Sequence, residues 1–285
     1  MKPSQIIKYI RESLSLSQEE FADKVDVARL AVTRWENEKA TPNRMAQMRI
    51  YEVAKAMNVS ILDYMIKNLS QHKVENNLVA LFHGSKTGIK GKIKPISRDR
   101  CDFGQGFYMG TQLQQPLTLI CTHAESVLYV LEFDLNNLKV VHVPTDIDWA
   151  MLVAYSRGEL EKCKGTSFYD KYRKMLEGSD VVIGSIANDR LFFVLDRFFE
   201  GAITDKGLVE CLSALQLGVQ YVALTEKACG QVKVISENIL SELERLCLDD
   251  ISKSNRQYGI ETANEICKNY RREGRFFDEI LKDAK

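Results

Sequence analysis

Apolar positions recur at intervals of three and four from Pro3 to Asn68, so that stretch reads as helix throughout. Ser17-Gln18-Glu19-Glu20 has the spacing of a capping box, in which hydroxyl and carboxylate each take an orphan N–H. Phe21, Ala22 and Val25 then line one face. After a break at Asp26-Val27 a second helix is predicted over roughly 28–36, with Val32 and Trp35 inward and Arg29, Leu30, Thr33 and Arg34 outward. Thr41-Pro42 predicts an N-cap and first helical residue. Met45, Met48, Tyr51, Val53 and Met57 continue that helix, and a last one spans 61–66.

The stretch from Asn68 to Asn77 is polar and marks a boundary near residue 73. Beyond it the pattern changes to short apolar runs between helical segments. Strands are predicted over 78–83, 107–109, 127–134, 139–143, 181–184, 219–224 and 232–235. Helices are predicted over 113–124, 147–157, 169–176, 191–199, 206–215 and 235–246. Glu242, Glu244, Asp249 and Asp250 read as a solvated helix face. From Ser252 the tail is helical again, with two apolar faces separated by Gly274. It reads as a helical hairpin packed on the body, or as an arm for a partner. The organisation expected is therefore 1–73, 74–250 and 251–285.

Composition changes this picture little. The 285 residues are 45% hydrophobic, enough for two domains with cores of their own. Lys+Arg and Asp+Glu are equal at 39 each, so net charge names no partner. Charge is uneven, however: Lys86, Lys90, Lys92, Lys94, Arg98 and Arg100 crowd one stretch in which Asp99 is the sole acid. Such a run is usually a solvated loop, and beside a nucleotide pocket it can contact phosphates. The seven cysteines are odd in number and form no CxxC, which argues against a disulfide framework and a zinc site and for a reducing cytoplasm. No metal is expected. No signal-peptide core opens the sequence, and no apolar run is long enough to cross a membrane. Gly104-x-Gly106 lacks the spacing and setting of a Rossmann fingerprint, and no Walker motif is present.

The segments SQEEFADKV, VTRWENEKATP and VAKAMNVSILDYM resemble the five-helix Xre/Cro (phage-repressor) type of helix-turn-helix. The resemblance implies DNA as a partner, base contacts from Arg29, Thr33 and Arg34, a base or backbone contact from Gln18, and phosphate contacts from Lys39 and Arg44. Two positions depart from the pattern. Ala28 stands where a capping Ser or Thr is common, and Glu38 where Gly often turns left-handed, so Asn37 is expected to carry that conformation. Residues 1–73 hold 12 Lys/Arg against 9 Asp/Glu, a mild excess that suits a homodimer on two half-sites better than a lone domain. A helical protein-interaction module without DNA binding is the competing reading.

In the second domain the order FHGS, DFGQGFYMG, GSDVVIGSIANDRLF and VQYVALTEKA resembles an uncharacterised bacterial domain family grouped with the ADP-ribosyltransferases. The likeness runs from about Leu78 to Val234. It implies an α+β split-sheet fold of ADP-ribosyltransferase type, NAD as cofactor, and mono-ADP-ribosyl transfer to a macromolecular acceptor. By that resemblance His83 bonds a ribose, the Gly84 backbone pairs with the nicotinamide amide, and Tyr108 stacks on the nicotinamide ring with Phe107 beside it. Ser85 and Asn188 complete the expected cofactor set. Gln220, Tyr108 and His83 are the expected catalytic residues.

Gln220 is a departure, since a Glu is the family type there. An amide can bond a ribose hydroxyl but supplies no charge to a developing ribose cation. Glu226 lies past the strand, and Asp189 is another acid nearby. Gln220→Glu is therefore expected to raise any transfer rate. Each of these residues also has an ordinary use: His83 and Tyr108 in packing, Asn188 and Asp189 as helix caps, Gln220 as a strand polar group. His123 and His142 read as structural. Three functions stay open, one of them a toxin–antitoxin partner whose tail docks a cognate protein. Another is a toxin or defence effector of toxin–antitoxin type that transfers ADP-ribose or hydrolyses NAD, with a cognate antitoxin or regulator as partner. The third is a transcription regulator that binds NAD or a related nucleotide without turnover.

Overall fold

The structure, a computed structural model, describes residues 2–69, 78–186, 189–214 and 218–283. Five helices come first: α1 (Pro3–Ser13), α2 (Gln18–Lys24), α3 (Arg29–Glu36), α4 (Arg44–Ala56) and α5 (Ile61–Leu69). The capping box forms as expected, with Ser17 Oγ accepting from Glu20 N–H and Glu20 accepting from Ser17 N–H. Ala28 caps α3 with no side-chain bond. Two local expectations are corrected. The cap of α4 is Asn43, whose side chain accepts from Ala46 N–H at 2.9 Å, so Thr41-Pro42 ends the preceding loop. Glu38, at φ 59°, takes the left-handed turn. Asn37 stays at φ −91° because its amide bonds the Thr33 carbonyl, while Glu38 is held by Lys2 and Ser4.

The second region is a seven-stranded mixed sheet with helices between and after its strands. In chain order these are β1 (Leu78–Ser85), β2 (Phe107–Gly110), α6 (Gln114–Ile120), β3 (Val127–Asp134), β4 (Val140–His142), α7 (Ile147–Arg157), α8 (Ser167–Met175), β5 (Val181–Ser185), α9 (Asp189–Phe199), α10 (Asp205–Ala214), β6 (Val219–Ala223), α11 (Glu226–Cys229) and β7 (Val232–Ile239). The long α12 (Glu242–Asn269) and short α13 (Phe277–Asp283) close the chain. The strand order is β4-β5-β6-β2-β1-β3-β7, antiparallel except for β4 beside β5. The pairing is uneven. β1 lies on β3 along its whole length, yet meets β2 in register only at Phe82 and Gly110. The sheet is thus nearly parted between its fourth and fifth strands.

Directly paired residues share a face, and the registers sort the core accordingly. Val182, Val222, Tyr108, Phe82 and Val130 lie on one face. There α7 to α10 and α13 cover one half, around Trp149, Val194, Phe198 and Phe277. The other half is covered by α6, the start of α12 and the five-helix domain, in a single apolar cluster that includes Ile50, Leu69, Phe82, Leu117, Leu128 and Leu243. Leu81, Phe107, Tyr129, Phe133 and Ile183 make the opposite face.

The segment 235–246 is a correction. The strand runs to Ile239, because β7 pairs with β3 from Val127 to Phe133 through a bulge at Val130/Leu131. The helix starts only after Ser241, which forms a second capping box with Glu244. From there α12 runs unbroken to Asn269, across residue 250.

The expected solvated acidic face is overturned as well. Glu244 is fully buried. Glu242 pairs with Arg44 and Arg245, and Asp250 takes bonds from Tyr51 and Lys55. Arg44, Gln47, Tyr51 and Lys55 form one stripe of α4, at helical spacing, that docks on α12. Gln47 completes it by accepting the Leu243 N–H at 3.2 Å.

Candidate functional site

Two adjoining cavities open where the sheet is nearly parted. The larger, about 520 Å³, is lined by Tyr108, Gln220, Asp102 and Arg157, with Arg98 and Arg100 at its side. The smaller, about 100 Å³, is lined by Phe82, His83, Gly84, Tyr108, Gly110 and Gln220. Gln115, Leu119 and Ile186 belong to both. The structure therefore brings His83, Gly84, Tyr108 and Gln220 together from three strands. Ser85 and Phe107 line neither cavity. Asn188 and the Asp189 side chain lie outside the described residues. Glu226 is exposed on α11, behind its Thr225 cap, and lines neither cavity.

His83 closes the gap between β1 and β2 with its side chain. Its Nδ1 lies 2.7 Å from the Tyr108 carbonyl oxygen, so Nδ1–H is the donor and Nε2 carries the lone pair. Its ring packs against Phe107 at 4.3 Å. Burial lowers the affinity of this imidazole for a second proton, against the opposing pull of the bond to Tyr108.

Tyr108 owes its position to the Gly-rich turn before it. Its hydroxyl donates to the Gly104 carbonyl at 2.7 Å and accepts from Phe103 N–H at 3.0 Å. Gly104, at φ 76°, makes that turn possible. Burial raises the phenol's pKa far above its ordinary value, so the side chain stays neutral, and Tyr108 borders both cavities.

The residue that sequence reasoning passed over is Asp102. It opens the same motif, is buried, and places one carboxylate oxygen 2.8 Å from Arg157 and the other 3.3 Å from the Gln220 amide nitrogen. The signal was present: an acid directly before Phe103-Gly104, in a turn already singled out for Tyr108. Gln220 also donates to the Ser185 carbonyl at 2.9 Å.

Two features fit a bound planar amide or base. Gln115 Oε1, in the shared wall, is buried and has no hydrogen-bond partner among the described residues. An added Cβ at Gly84 would lie 2.7 Å from the Pro116 carbonyl oxygen, which is backbone, and one at Gly110 would lie 2.8 Å from the end of the flexible Gln115 side chain, so Gly84 is the position that resists a side chain. Both glycines line the small cavity.

The family described as "Protein of unknown function (DUF3990)" matches residues 79–234, more than half of the chain. The chain belongs to that family. Residues 7–64 match a helix-turn-helix family. No curated protein and no solved structure matches.

The DUF3990 domain thus follows a helix-turn-helix domain, the type that supports DNA binding. On α3, Arg29 and Arg34 are exposed, as is Lys39 just after it. Gln18 and Thr33 are bonded to each other at 2.7 Å, and the Gln18 amide also donates to Glu36 at 2.7 Å. Glu36 in turn holds the Arg11 guanidinium at 2.6 and 3.1 Å. This chain of bonds fixes α3 against α1 and α2, so Gln18 and Thr33 brace the exposed arginines. Arg44, expected on phosphate, is turned to Glu242 of α12 at 3.3 Å. Among the described residues no helix is long and apolar enough to cross a membrane.

Proposed function

We propose that the DUF3990 domain binds NAD and acts as an ADP-ribosyltransferase-like or NAD-hydrolysing enzyme, with the helix-turn-helix domain holding it to DNA. The observation that carries this reading is the convergence of His83, Tyr108 and Gln220, from three strands, on one pair of adjoining cavities. The larger has the size of a small-molecule site. Tyr108 offers a neutral aromatic face to a cationic ring. Gly84 and Gly110 bring backbone to the wall of the small cavity for a carboxamide to pair with, and the buried Gln115 Oε1 is an acceptor for an N–H. Arg98 and Arg100 supply charge for a diphosphate.

In the reaction, the bond between the ribose C1′ and the nicotinamide nitrogen breaks and its electron pair leaves with nicotinamide. The acceptor's lone pair forms the new bond at C1′, and the acceptor loses its proton to solvent. With water as acceptor the products are ADP-ribose, nicotinamide and a proton. The protein's part is to hold the leaving ring and to stabilise positive charge on the ribose.

A second reading is a nucleotide-responsive regulator. It is favoured by α6, which carries Gln115 and Leu119 in the cavity walls and Leu117 in the core shared with the helix-turn-helix domain.

The full chain is the object to test, because the two domains share that core. It is incubated with adenylate-labelled NAD, cell lysate, RNA and DNA, beside a His83→Ala control. Label on a macromolecule, or nicotinamide released, by the unmutated chain alone supports the enzyme. Saturable NAD binding without either product moves the assignment to the regulator. Absence of NAD binding removes the enzyme and the NAD-responsive form of the regulator.

A further inference from the structure

We infer that Asp102 supplies the negative charge at Gln220: a buried carboxylate that fixes the Gln220 amide and makes its oxygen a strengthened acceptor for a cationic group in the cavity. The inference rests on the nucleotide reading above and names the residue that answers its main difficulty, the missing Glu.

Gln220 Nε2 carries two hydrogens. One points to the Ser185 carbonyl oxygen at 2.9 Å and the other to Asp102 Oδ2 at 3.3 Å. Both partners are acceptors, a carbonyl and a carboxylate. A flipped amide would set Oε1 against two oxygens, so one orientation alone satisfies the surroundings. With both hydrogens committed, Oε1 is the polar atom that Gln220 has left to offer, and Gln220 lines both cavities.

Such an amide is not electrically bland. A hydrogen bond to a carboxylate is charge-assisted, and in a buried setting it polarises the group that donates it. Electron density drawn toward the amide oxygen makes it a better acceptor for a ribose hydroxyl and a better neighbour for positive charge. Asp102 lines the larger cavity beside Tyr108, but so does Arg157, whose charge offsets its direct field, so the effect on the cavity runs through the bond to Gln220. Arg157, 2.8 Å from Oδ1, keeps the carboxylate paired on its other oxygen. Asp102 is therefore a positioning residue for Gln220.

This pairing reverses what the sequence implied for Gln220→Glu. A Glu at 220 would face the Asp102 carboxylate inside a buried pocket, where two like charges oppose one another. The two positions are complementary: one acid and one amide, in either order.

The test is a swap. Wild type, Asp102→Asn, Gln220→Glu and the double variant Asp102→Asn/Gln220→Glu are titrated calorimetrically with NAD⁺ and with NADH, whose reduced ring is uncharged. Thermal melts check that each variant folds. Wild type is expected to prefer NAD⁺ by about tenfold, one well-placed charge in a partly screened site. Asp102→Asn loses that preference, Gln220→Glu weakens binding of both ligands, and the double variant regains most of the preference. A structural role alone would lower the melting temperature without changing the ratio of the two affinities.

Asp102→Asn that folds and keeps the preference overturns the inference. So does a double variant no better than its parent singles, which also carries the test if Asp102→Asn fails to fold. Wild type that binds NAD⁺ and NADH equally overturns this inference but leaves the nucleotide reading standing. Wild type that binds neither overturns both.

Discussion

The Tyr51 hydroxyl donates to Asp250 across 2.8 Å, joining the fourth helix of the DNA-binding domain to the long helix that follows the sheet. Lys55 reaches the same carboxylate oxygen at 2.5 Å. The bonds from Lys55 and Tyr51 hold the Asp250 carboxyl below the usual carboxylate range. A carboxyl lowered on folding gives stability that is present above its unfolded value of about 3.9 and lost as pH falls through its folded one. Because Asp250 is over a third exposed, screening limits the worth of the pair to about 0.5–1 kcal/mol. Asp250→Asn should lower the melting temperature at pH 7 by about 1–4 °C. That gap should close as pH drops below about 4. A gap that stays constant to pH 3 would mean the charge is not what docks the helices.

His83 should titrate below the ordinary histidine value of about 6.5, since burial outweighs its bond to Tyr108. Below pH 6.5 the unfolded chain gains a proton that the folded site refuses, so the native state loses ground as pH falls from there. Proton NMR of the imidazole C–H signals measures this directly. A midpoint for His83 at or above 6.5 would put a cation where a neutral ring is expected.

Tyr108→Phe and Tyr108→Ala separate the ring from the hydroxyl. The Phe variant leaves the Phe103 N–H and Gly104 carbonyl without their partner, at a cost of about 1–3 kcal/mol in stability. It keeps the aromatic face, so NAD affinity should stay within a few-fold, whereas the Ala variant should lose it. Equal loss in both would show that the turn, and not the ring, makes the site.

Gly84→Ala should be costly although it adds one methyl. The new Cβ would lie 2.7 Å from the Pro116 carbonyl oxygen and 3.0 Å from Ile120 Cγ2, and the first of these is backbone. Destabilisation of about 1–3 kcal/mol is expected, with weaker nucleotide binding as α6 is pushed off the strand. A denaturant titration showing no change would place more slack between β1 and α6 than the contacts allow.

On the DNA side, Arg34→Ala and Glu36→Ala should part company. Arg34 is exposed, so its loss should spare the melting temperature and cost about 1–3 kcal/mol in binding a preferred DNA sequence. Glu36 is almost buried against Arg11, so its removal should cost about 3 kcal/mol of folding stability. Fluorescence anisotropy on selected DNA fragments, with melts alongside, distinguishes them. Unchanged DNA affinity in Arg34→Ala would favour a protein-binding role for α3.

Much of this was legible in the chain. Ser17 and Glu20 announced α2, and the apolar runs marked all seven strands to within a few residues because burial on a sheet leaves a short, plain signature. What escaped depended on contacts distant in sequence. Ser241 and Glu244 carry the same capping signal as Ser17 and Glu20, yet the apolar residues before them fit strand and helix alike until β3 supplies a pairing partner. Glu242 and Asp250 look like solvated acids because nothing local reveals Arg44, Tyr51 and Lys55 across from them. Asp102 and Gln220 are 118 positions apart, and only the sheet brings the acid to the amide.

The apolar cluster that runs from Ile50 and Leu69 through Leu117 to Leu128 has a thermodynamic consequence. Two domains with separate cores would melt in two steps, each with its own enthalpy. Here the surface that closes the helix-turn-helix domain is the surface that closes half the sheet. Opening one exposes the other to water, so the chain should unfold cooperatively, as one calorimetric unit in which calorimetric and van't Hoff enthalpies agree.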